Sequence, residues 1–204
     1  DAVKMMRTCM AMAHVDGRVV AFIEPIALYM TKDLHEPKDG LWSFPFPPPG
    51  EFIPLGEGAV YTDQETTRQR GNKATSKEDL TIITFANGLH MSLRAQKILQ
   101  DKHNVRARVV DLRWLNPLNE EFIVEQALAT GTVLVVDESR RTGGLGEAIL
   151  AIMSERLGRQ VRCARLNACD TYIPLGPAAD CVIPQAADVV RESAKLVQAP
   201  RGKG

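Results

Sequence analysis

Residues 132–157 read TVLVVDESRRTGGLGEAILAIMSERL, and this stretch decides the fold. It opens on Thr132–Val136, an apolar and β-branched run typical of a strand that is buried on both faces. A glycine-containing turn then leads into Leu145–Leu157, whose apolar residues recur at helical spacing: Leu145, Ala148, Ile149, Ile152 and Met153. A strand, a turn and a helix of these lengths predict one βα unit.

The same alternation repeats on both sides of this unit. Further strands are predicted at Leu80–Phe85, Val105–Val110 and Val161–Leu166. Three further helices are predicted. One begins at the Asn87-Gly88 turn, one follows Asn119 as its N-cap, and one runs from Ala186 to Val197. Strands that alternate with helices predict an α/β fold, here a three-layer α/β/α arrangement around a mostly parallel sheet.

The region ahead of Leu80 is less regular. It contains a predicted helix over Ala2–Ala13, a predicted strand at Val19–Ile23, an aromatic–proline segment at Trp42–Gly50, a short strand at Gly58–Tyr61 and a polar, exposed loop at Thr62–Asp79. Proline fixes φ and removes a backbone donor, so the aromatic–proline segment is expected to be stiff and extended and to mark a domain boundary. Its three aromatic rings lead us to expect that it packs along a neighbouring surface.

Composition narrows the class of protein. The chain has 204 residues, with 25 Lys+Arg and 25 Asp+Glu, so its formal net charge is zero, which argues against a nucleic-acid binder that relies on a strong positive field. No apolar run approaches the ~18 residues of a membrane-spanning helix. The four cysteines are irregularly spaced and form no zinc or disulfide pattern, which favours a reduced, cytoplasmic protein.

The turn after Thr132–Val136 is the most suggestive candidate site. Gly143, Gly144 and Gly146 would let a phosphate approach the backbone at a helix N-terminus, with Arg140 and Arg141 adding positive charge. The G-x-G-x-x-G spacing of dinucleotide sites is not met, however. A structural turn or an interface loop is therefore favoured over an anion site.

The other candidates assemble no self-sufficient catalytic or metal site. His90 stands near a helix start beyond a strand end, but it has no partner acid or nucleophile in its motif. Asp111 and Arg113 follow the Val105–Val110 strand, where they are expected to form either a local ion pair or an inter-subunit contact. Glu138 is the second candidate for a subunit interface. No catalytic, cofactor-binding or metal-ligating residue is assigned.

Ordered motifs along nearly the whole chain resemble the beta chain of thiamine-diphosphate-dependent 2-oxo acid dehydrogenases. They are Phe22-Ile23-Glu24-Pro25 with Tyr29, Ile53–Gly56, Leu80–Thr84 with Gly88 and His90, Val109–Arg113 with Asn116–Leu118, Val135–Glu138 with Thr142–Gly146, Asp170-Thr171, and Ile183-Pro184. The resemblance implies that residues 52–200 are a transketolase-type C-terminal domain, that residues 1–36 are the tail of a pyrimidine-binding domain, and that residues 37–51 link the two.

The resemblance also implies a function. The parent enzyme would decarboxylate a 2-oxo acid (pyruvate, a branched-chain 2-oxo acid or a related compound) on thiamine diphosphate and magnesium, and would pass the acyl group to a lipoyl arm. Its partners would be an alpha-type thiamine-binding chain or domain, the dihydrolipoyl acyltransferase core, and further copies of itself. The Gly-Asp-Gly…Asn signature of the cofactor is absent from this sequence. We therefore expect a C-terminal piece that serves assembly, binds no thiamine diphosphate by itself and is inactive alone. The alternatives are an independent nucleotide- or anion-binding α/β domain and, less favoured, transketolase or another relative with the same C-terminal domain.

Overall fold

The structure is a computed structural model that describes residues 1–62 and 78–199. These residues form two compact units, one of residues 1–57 and one from Gly58 onward. The predicted polar loop Thr62–Asp79 falls largely on residues 63–77, which lie outside the described residues. In the part of the chain that is described, no helix combines the length and the apolar character needed to cross a membrane.

The first unit is built on one helix, α1 (Ala2–His14), and one 3-10 turn, Ile26–Leu28. The helix holds the aromatic–proline segment, because the guanidinium of Arg7 donates to the carbonyl oxygens of Pro47, Pro48 and Glu51 and lies over the Phe46 ring, 5.8 Å from its centroid. The expectation that this segment packs along a neighbouring surface is confirmed for its backbone. The rings are less well covered, since Phe46 is 77% exposed.

The predicted strand at Val19–Ile23 is wrong. These residues are irregular, and Val19 and Ile23 are 103% and 81% exposed. A strand exists only where a neighbouring edge accepts its backbone hydrogen bonds, and the described residues of this unit contain no strand that could do so.

The second unit is a five-stranded sheet in the order β1-β3-β2-β4-β5, where β1 is antiparallel to β3 and all other pairs are parallel. Its strands are β1 (Ala59–Tyr61), β2 (Leu80–Thr84), β3 (Ala107–Asp111), β4 (Thr132–Arg140) and β5 (Arg162–Ala168). All strands predicted from Gly58 onward are therefore present. The strand β4 runs four residues beyond its predicted end, because Asp137–Arg140 continues to pair with β5 through an irregular register.

The helices of this unit are α2 (Asn87–His103), α3 (Glu120–Thr130), α4 (Leu145–Leu157) and α5 (Ala186–Gln198), with 3-10 turns at Gly158–Gln160 and Gly176–Cys181. The helices α2 and α5 pack against each other, as do α3 and α4, so each pair covers one face of the sheet. The predicted three-layer α/β/α architecture is confirmed. The predicted N-cap is also present, since the side chain of Asn119 accepts a hydrogen bond from the Phe122 amide at 3.0 Å.

Burial explains why the sheet forms. The side chains of Ile82, Ile83 and Leu134 are fully buried, as expected for central parallel strands covered on both faces. The chain leaves β2 towards β3 on one side, and it leaves β4 towards β5 on the other. The neighbours β2 and β4 therefore form the topological switch point of the sheet, and ligand sites of open α/β sheets lie beyond the carboxyl ends of strands at such a point.

Candidate functional site

The carboxyl edge at the switch point is formed by the residues that follow β2 and β4. After β2, Ala86 has φ 51° and ψ −127°, an unusual conformation for a residue with a Cβ, and Asn87 then begins α2. After the buried part of β4, Glu138 is half-buried and accepts a hydrogen bond from the Asn87 side chain. The switch point thus brings a strained backbone, an amide and a carboxyl group to one edge.

The pKa of Glu138 is raised, first because burial penalises the charged carboxylate and also because the negative charge of Asp137 is next to it. The hydrogen bond from Asn87 opposes this rise. Within the described residues, no Lys or Arg forms an ion pair with Glu138. A half-buried carboxylate in this setting is suited to receive a hydrogen-bond donor or a cation.

The glycine turn that follows is occupied by carboxylates of the chain itself. Asp137, only 1% exposed, accepts hydrogen bonds from the amides of Ser139 and Gly146, both at 2.8 Å. The carboxylate of Glu147 accepts from the Gly143 amide at 3.0 Å. Anions stabilise a helix N-terminus, and here the protein supplies them. The arrangement therefore favours the structural or interface interpretation of the turn over an external anion.

Steric constraints explain why glycine occupies positions 143 and 144 of this turn. A Cβ on Gly144 would lie 2.2 Å from the Ser139 hydroxyl and 2.8 Å from the Arg140 carbonyl, so only glycine fits there. Gly143 has φ +73°, which side chains other than glycine rarely adopt. Close backbone approach and an unusual backbone angle account for the Gly-Gly pair without a bound phosphate.

The two arginines of the turn, Arg140 and Arg141, are both exposed, but their contacts differ. The Nε of Arg140 donates to the Thr142 carbonyl at 3.1 Å, which ties this side chain to the turn. The backbone carbonyl of Arg141 accepts from Arg165 at 2.9 Å. The described part of the chain provides no carboxylate that forms an ion pair with the Arg141 guanidinium. Its role at an interface or an anion site stays a prediction.

Arg113, the other interface candidate, is engaged within its own unit. It has φ 58°, its Nε lies 4.0 Å from the Asp111 carboxylate, and its NH1 lies 3.4 Å from the Gly58 carbonyl. Burial raises the pKa of Asp111, and the charge of Arg113 opposes this rise. Of the two interpretations, a local ion pair or an inter-subunit contact, the structure contains the local ion pair between Arg113 and Asp111. Arg113 also connects β3 to Gly58, the residue just ahead of β1. Its participation in a subunit contact stays a prediction.

Sequence reasoning singled out Glu138 but missed two of its neighbours. The sequence offers Asp137 only as part of a motif, because it lies seven residues ahead of the N-cap Gly144 and so gives no local capping signal. The sequence predicts Asn87 as a turn residue, and only the fold shows that it reaches Glu138 on the neighbouring strand β4. His90 lies half-buried in the first turn of α2.

A site for thiamine diphosphate and magnesium requires oxygen ligands for the metal and a cradle for the diphosphate. Magnesium prefers several oxygen ligands, and nowhere in residues 1–62 and 78–199 do three or more His, Cys, Asp or Glu side chains gather as a metal site. The glycine turn, the candidate that the sequence offered for a diphosphate, already holds Asp137 and Glu147 on its amides. The described residues therefore do not fit the cofactor.

Comparison with known proteins adds the family. Residues 69–189 match the family described as transketolase, C-terminal domain. The chain is 30% identical to the pyruvate dehydrogenase E1 component subunit beta of Staphylococcus aureus strain MW2 over 150 residues, and this alignment covers 72% of this chain and 44% of the relative. It is 31% identical to the same subunit of Bacillus subtilis strain 168 over 140 residues, and that alignment covers 67% of this chain and 43% of the relative.

A solved structure described as "Split gene transketolase, inactive beta4 tetramer" matches with a TM-score of 0.59 and 26% identity, over 72% of this chain and 44% of that one. The chain thus spans less than half the length of the curated relatives it matches. The predicted resemblance to 2-oxo acid dehydrogenase beta chains is confirmed. Because the matched residues make up more than half of the sequence and contain the strand–turn–helix unit that decides the fold, the chain belongs to the transketolase C-terminal domain family.

Proposed function

We propose that this chain is the C-terminal part of the decarboxylating component of a 2-oxo acid dehydrogenase, where it serves subunit assembly. The observation that carries the proposal is the similarity to pyruvate dehydrogenase E1 beta subunits, oxidoreductase components, over 150 residues at 30% identity. The self-capped glycine turn supports it, because a turn whose amides are filled by Asp137 and Glu147 holds its shape without a ligand.

We propose the same three parts of the chain that the sequence predicts. Residues 1–36 would be the tail of a pyrimidine-binding domain, residues 37–51 a linker, and residues 52–200 the transketolase-type C-terminal domain. The first unit exposes several large apolar side chains, among them Val19, Ile23 and Met30 at 103%, 81% and 85%. Several large exposed apolar side chains within a unit this short are unusual, so another part of the parent protein would cover them.

In the parent enzyme, thiamine diphosphate and magnesium would be held outside the described residues, and the substrate would be pyruvate or a related 2-oxo acid. An alpha-type chain or domain would complete the site. The lipoyl group of a dihydrolipoyl acyltransferase core would accept the acyl group. Copies of the chain would associate with one another in the cytoplasm.

The test measures assembly and activity separately. The purified chain, alone, is expected to show no turnover of pyruvate or branched-chain 2-oxo acids with saturating thiamine diphosphate and magnesium. Mixed with the rest of the same parent enzyme, that is the alpha-type part and the remainder of the pyrimidine-binding domain, it is expected to co-elute in size-exclusion chromatography and to restore decarboxylation.

Two results would contradict the proposal. Turnover by the chain alone, lost on Glu24→Gln, would show that a catalytic group is present after all. Stoichiometric binding of a nucleotide or pyrophosphate in isothermal titration, abolished by Gly144→Val, would support the independent anion-binding domain instead.

A further inference from the structure

Two cysteines meet at the stem of the loop that connects β5 to α5. All four cysteines of the chain are free thiols, and Cys169 and Cys181 are both exposed. Their spacing in the sequence forms no disulfide or metal pattern, so only the fold relates them. An exposed thiol is accessible to oxidants, and a second thiol beside it decides what an oxidant can make of it.

The backbone brings the two cysteines together. Cys169 directly follows β5, and its amide donates to the Val182 carbonyl at 2.8 Å. Cys181 is the residue next to Val182, at the end of the 3-10 turn Gly176–Cys181. A disulfide requires two Cα atoms within about 7 Å, and residues that share backbone hydrogen bonds in an antiparallel pair have Cα atoms about 5.5 Å apart. Cys181 lies one residue from a contact of this kind.

Further hydrogen bonds fix each side of the stem. On the β5 side, the hydroxyl of Thr142 donates to the Asp170 carboxylate at 2.9 Å, which ties the start of the loop to the glycine turn. On the α5 side, the Val182 amide donates to the Ala179 carbonyl at 3.0 Å, which holds the end of the 3-10 turn. Because both cysteines stand on held backbone, each thiol has a high effective concentration at the other.

The remaining cysteines are not suited to pair with Cys169. Cys163 pairs with Val133 near the opposite end of β5, six residues ahead of Cys169. A strand rises about 3.3 Å per residue, so about 20 Å separate these two residues. Burial also raises the pKa of the Cys163 thiol, which lowers the share of reactive thiolate. Cys9 is 4% exposed on α1 in the first unit.

We propose that Cys169 and Cys181 are a redox-active pair whose reversible disulfide covalently closes the loop between β5 and α5. The oxidant is a low-molecular-weight disulfide of the glutathione type. One protein thiolate attacks it, which forms a mixed disulfide and releases one small thiol. The second protein thiolate then attacks the mixed disulfide and releases the other small thiol. Two protein thiols are thus oxidised, and the small disulfide is reduced to two thiols that carry the two protons.

The disulfide would change the surface that the loop presents. Between the two cysteines, Tyr172 and Leu175 are 95% and 96% exposed. A covalent link at the stem removes open conformations of the loop, so these side chains would be held differently in the oxidised and reduced chains. The inference goes beyond the proposed function, which makes no use of these thiols.

The experiment maps disulfides in the purified whole chain. The reduced protein is incubated in a buffer of oxidised and reduced glutathione, its remaining thiols are blocked with iodoacetamide, and it is digested with trypsin. Both cysteines lie on one tryptic peptide, Leu166–Arg191, and Cys163 lies on another. This peptide is expected to escape alkylation and to be about 2 Da lighter than its reduced form, because two thiol hydrogens are lost. Chymotryptic cleavage after Tyr172 should then give two fragments that separate only when dithiothreitol is added.

The folded and unfolded chains provide the quantitative comparison. The ratio of internal disulfide to glutathione mixed disulfide should be at least about tenfold higher in the folded chain than in urea, because only the folded stem concentrates one thiol at the other. Cys163→Ser is the matched control and should leave this ratio unchanged. Cys181→Ser should stop the reaction at a glutathione adduct of Cys169, with circular dichroism showing that the variant is folded.

Three outcomes would overturn the inference. Equal ratios in the folded and unfolded chains would show that the stem does not bring the thiols together. Glutathione adducts on both cysteines, without an internal disulfide, would show that the geometry does not permit the bond. A disulfide that links Cys169 to Cys163, to Cys9 or to a second chain would show that the pairing is wrong. The proposed function would stand in each case, since co-elution with the rest of the parent enzyme tests it separately.

Discussion

Replacing Asp137 by Asn tests the self-capped turn most directly. The carboxylate is 1% exposed and accepts hydrogen bonds from the Ser139 and Gly146 amides. Asparagine has nearly the same shape but only one acceptor oxygen, so its amino group must face one of the two N–H donors. The change therefore removes one charged hydrogen bond and leaves one buried donor without an acceptor.

The expected loss follows from these contacts. A hydrogen bond to a charged group contributes about 1.5–3 kcal/mol, and the interaction of an anion with a helix N-terminus contributes about 0.3–1 kcal/mol. We expect the free energy of unfolding of the second unit to fall by about 2–4 kcal/mol. Such a loss is a large fraction of the total stability of a typical domain, which is about 5–15 kcal/mol.

The assay is urea unfolding followed by tryptophan fluorescence in a Trp42→Phe background. The chain has two tryptophans, so the substitution leaves Trp114, which is 7% exposed, as the reporter of the second unit. The midpoint should fall while the slope with urea stays unchanged. Asp180→Asn is the matched control, because Asp180 is exposed and should change stability by less than about 0.5 kcal/mol. An Asp137→Asn variant as stable as this control would refute the reasoning.

Three further predictions concern separate features. Gly144→Ala should destabilise the second unit by about 1–3 kcal/mol in the same assay, because the turn has no room for a methyl group there; an unchanged midpoint would count against the packing described. Arg7→Ala should speed limited proteolysis within Leu41–Gly50, because the three hydrogen bonds from Arg7 to backbone carbonyls at the aromatic–proline segment are lost. Arg18→Ala is the control and should not change the rate of proteolysis, because the Arg18 side chain is largely exposed. The folded pKa of Glu138 is raised, so its ionisation opposes folding and the free energy of unfolding should fall as pH rises from the ordinary glutamate value through the raised one. Glu138→Gln should remove this part of the pH dependence, measured by urea unfolding between about pH 4 and 7; identical pH profiles of the two proteins would contradict it.

Local pattern was sufficient for the second unit. Strands such as Leu80–Thr84 consist of Leu, Ile and β-branched Thr, which favour a buried strand, and α4 begins and ends where its helical spacing predicts. The Asn119 cap was predictable because the capping interaction spans only three residues. In each case the stabilising contacts are encoded within a few positions of the sequence.

The same pattern failed at Val19–Ile23, where apolar character alone predicted a strand. Whether such a run becomes a strand depends on a neighbouring edge, which is information that lies outside the run itself. The pairing of Asn87 with Glu138 was likewise invisible, because it depends on the order β3-β2-β4 and not on separation along the chain. The hydrogen bonds that fill the amides of the glycine turn could not be predicted either, because they depend on the rotamer of Asp137.

The Asp137 carboxylate determines whether the N-terminus of α4 can bind an external anion. In many α/β proteins the helix N-terminus after a strand is where an external anion docks, and the protein then senses that anion by ordering around it. Here the position is filled by a side chain that is present in every molecule at every ligand concentration. The geometry of β4, the turn and α4 therefore does not vary with metabolite supply. Such an edge is a constant platform on which another protein surface can rely.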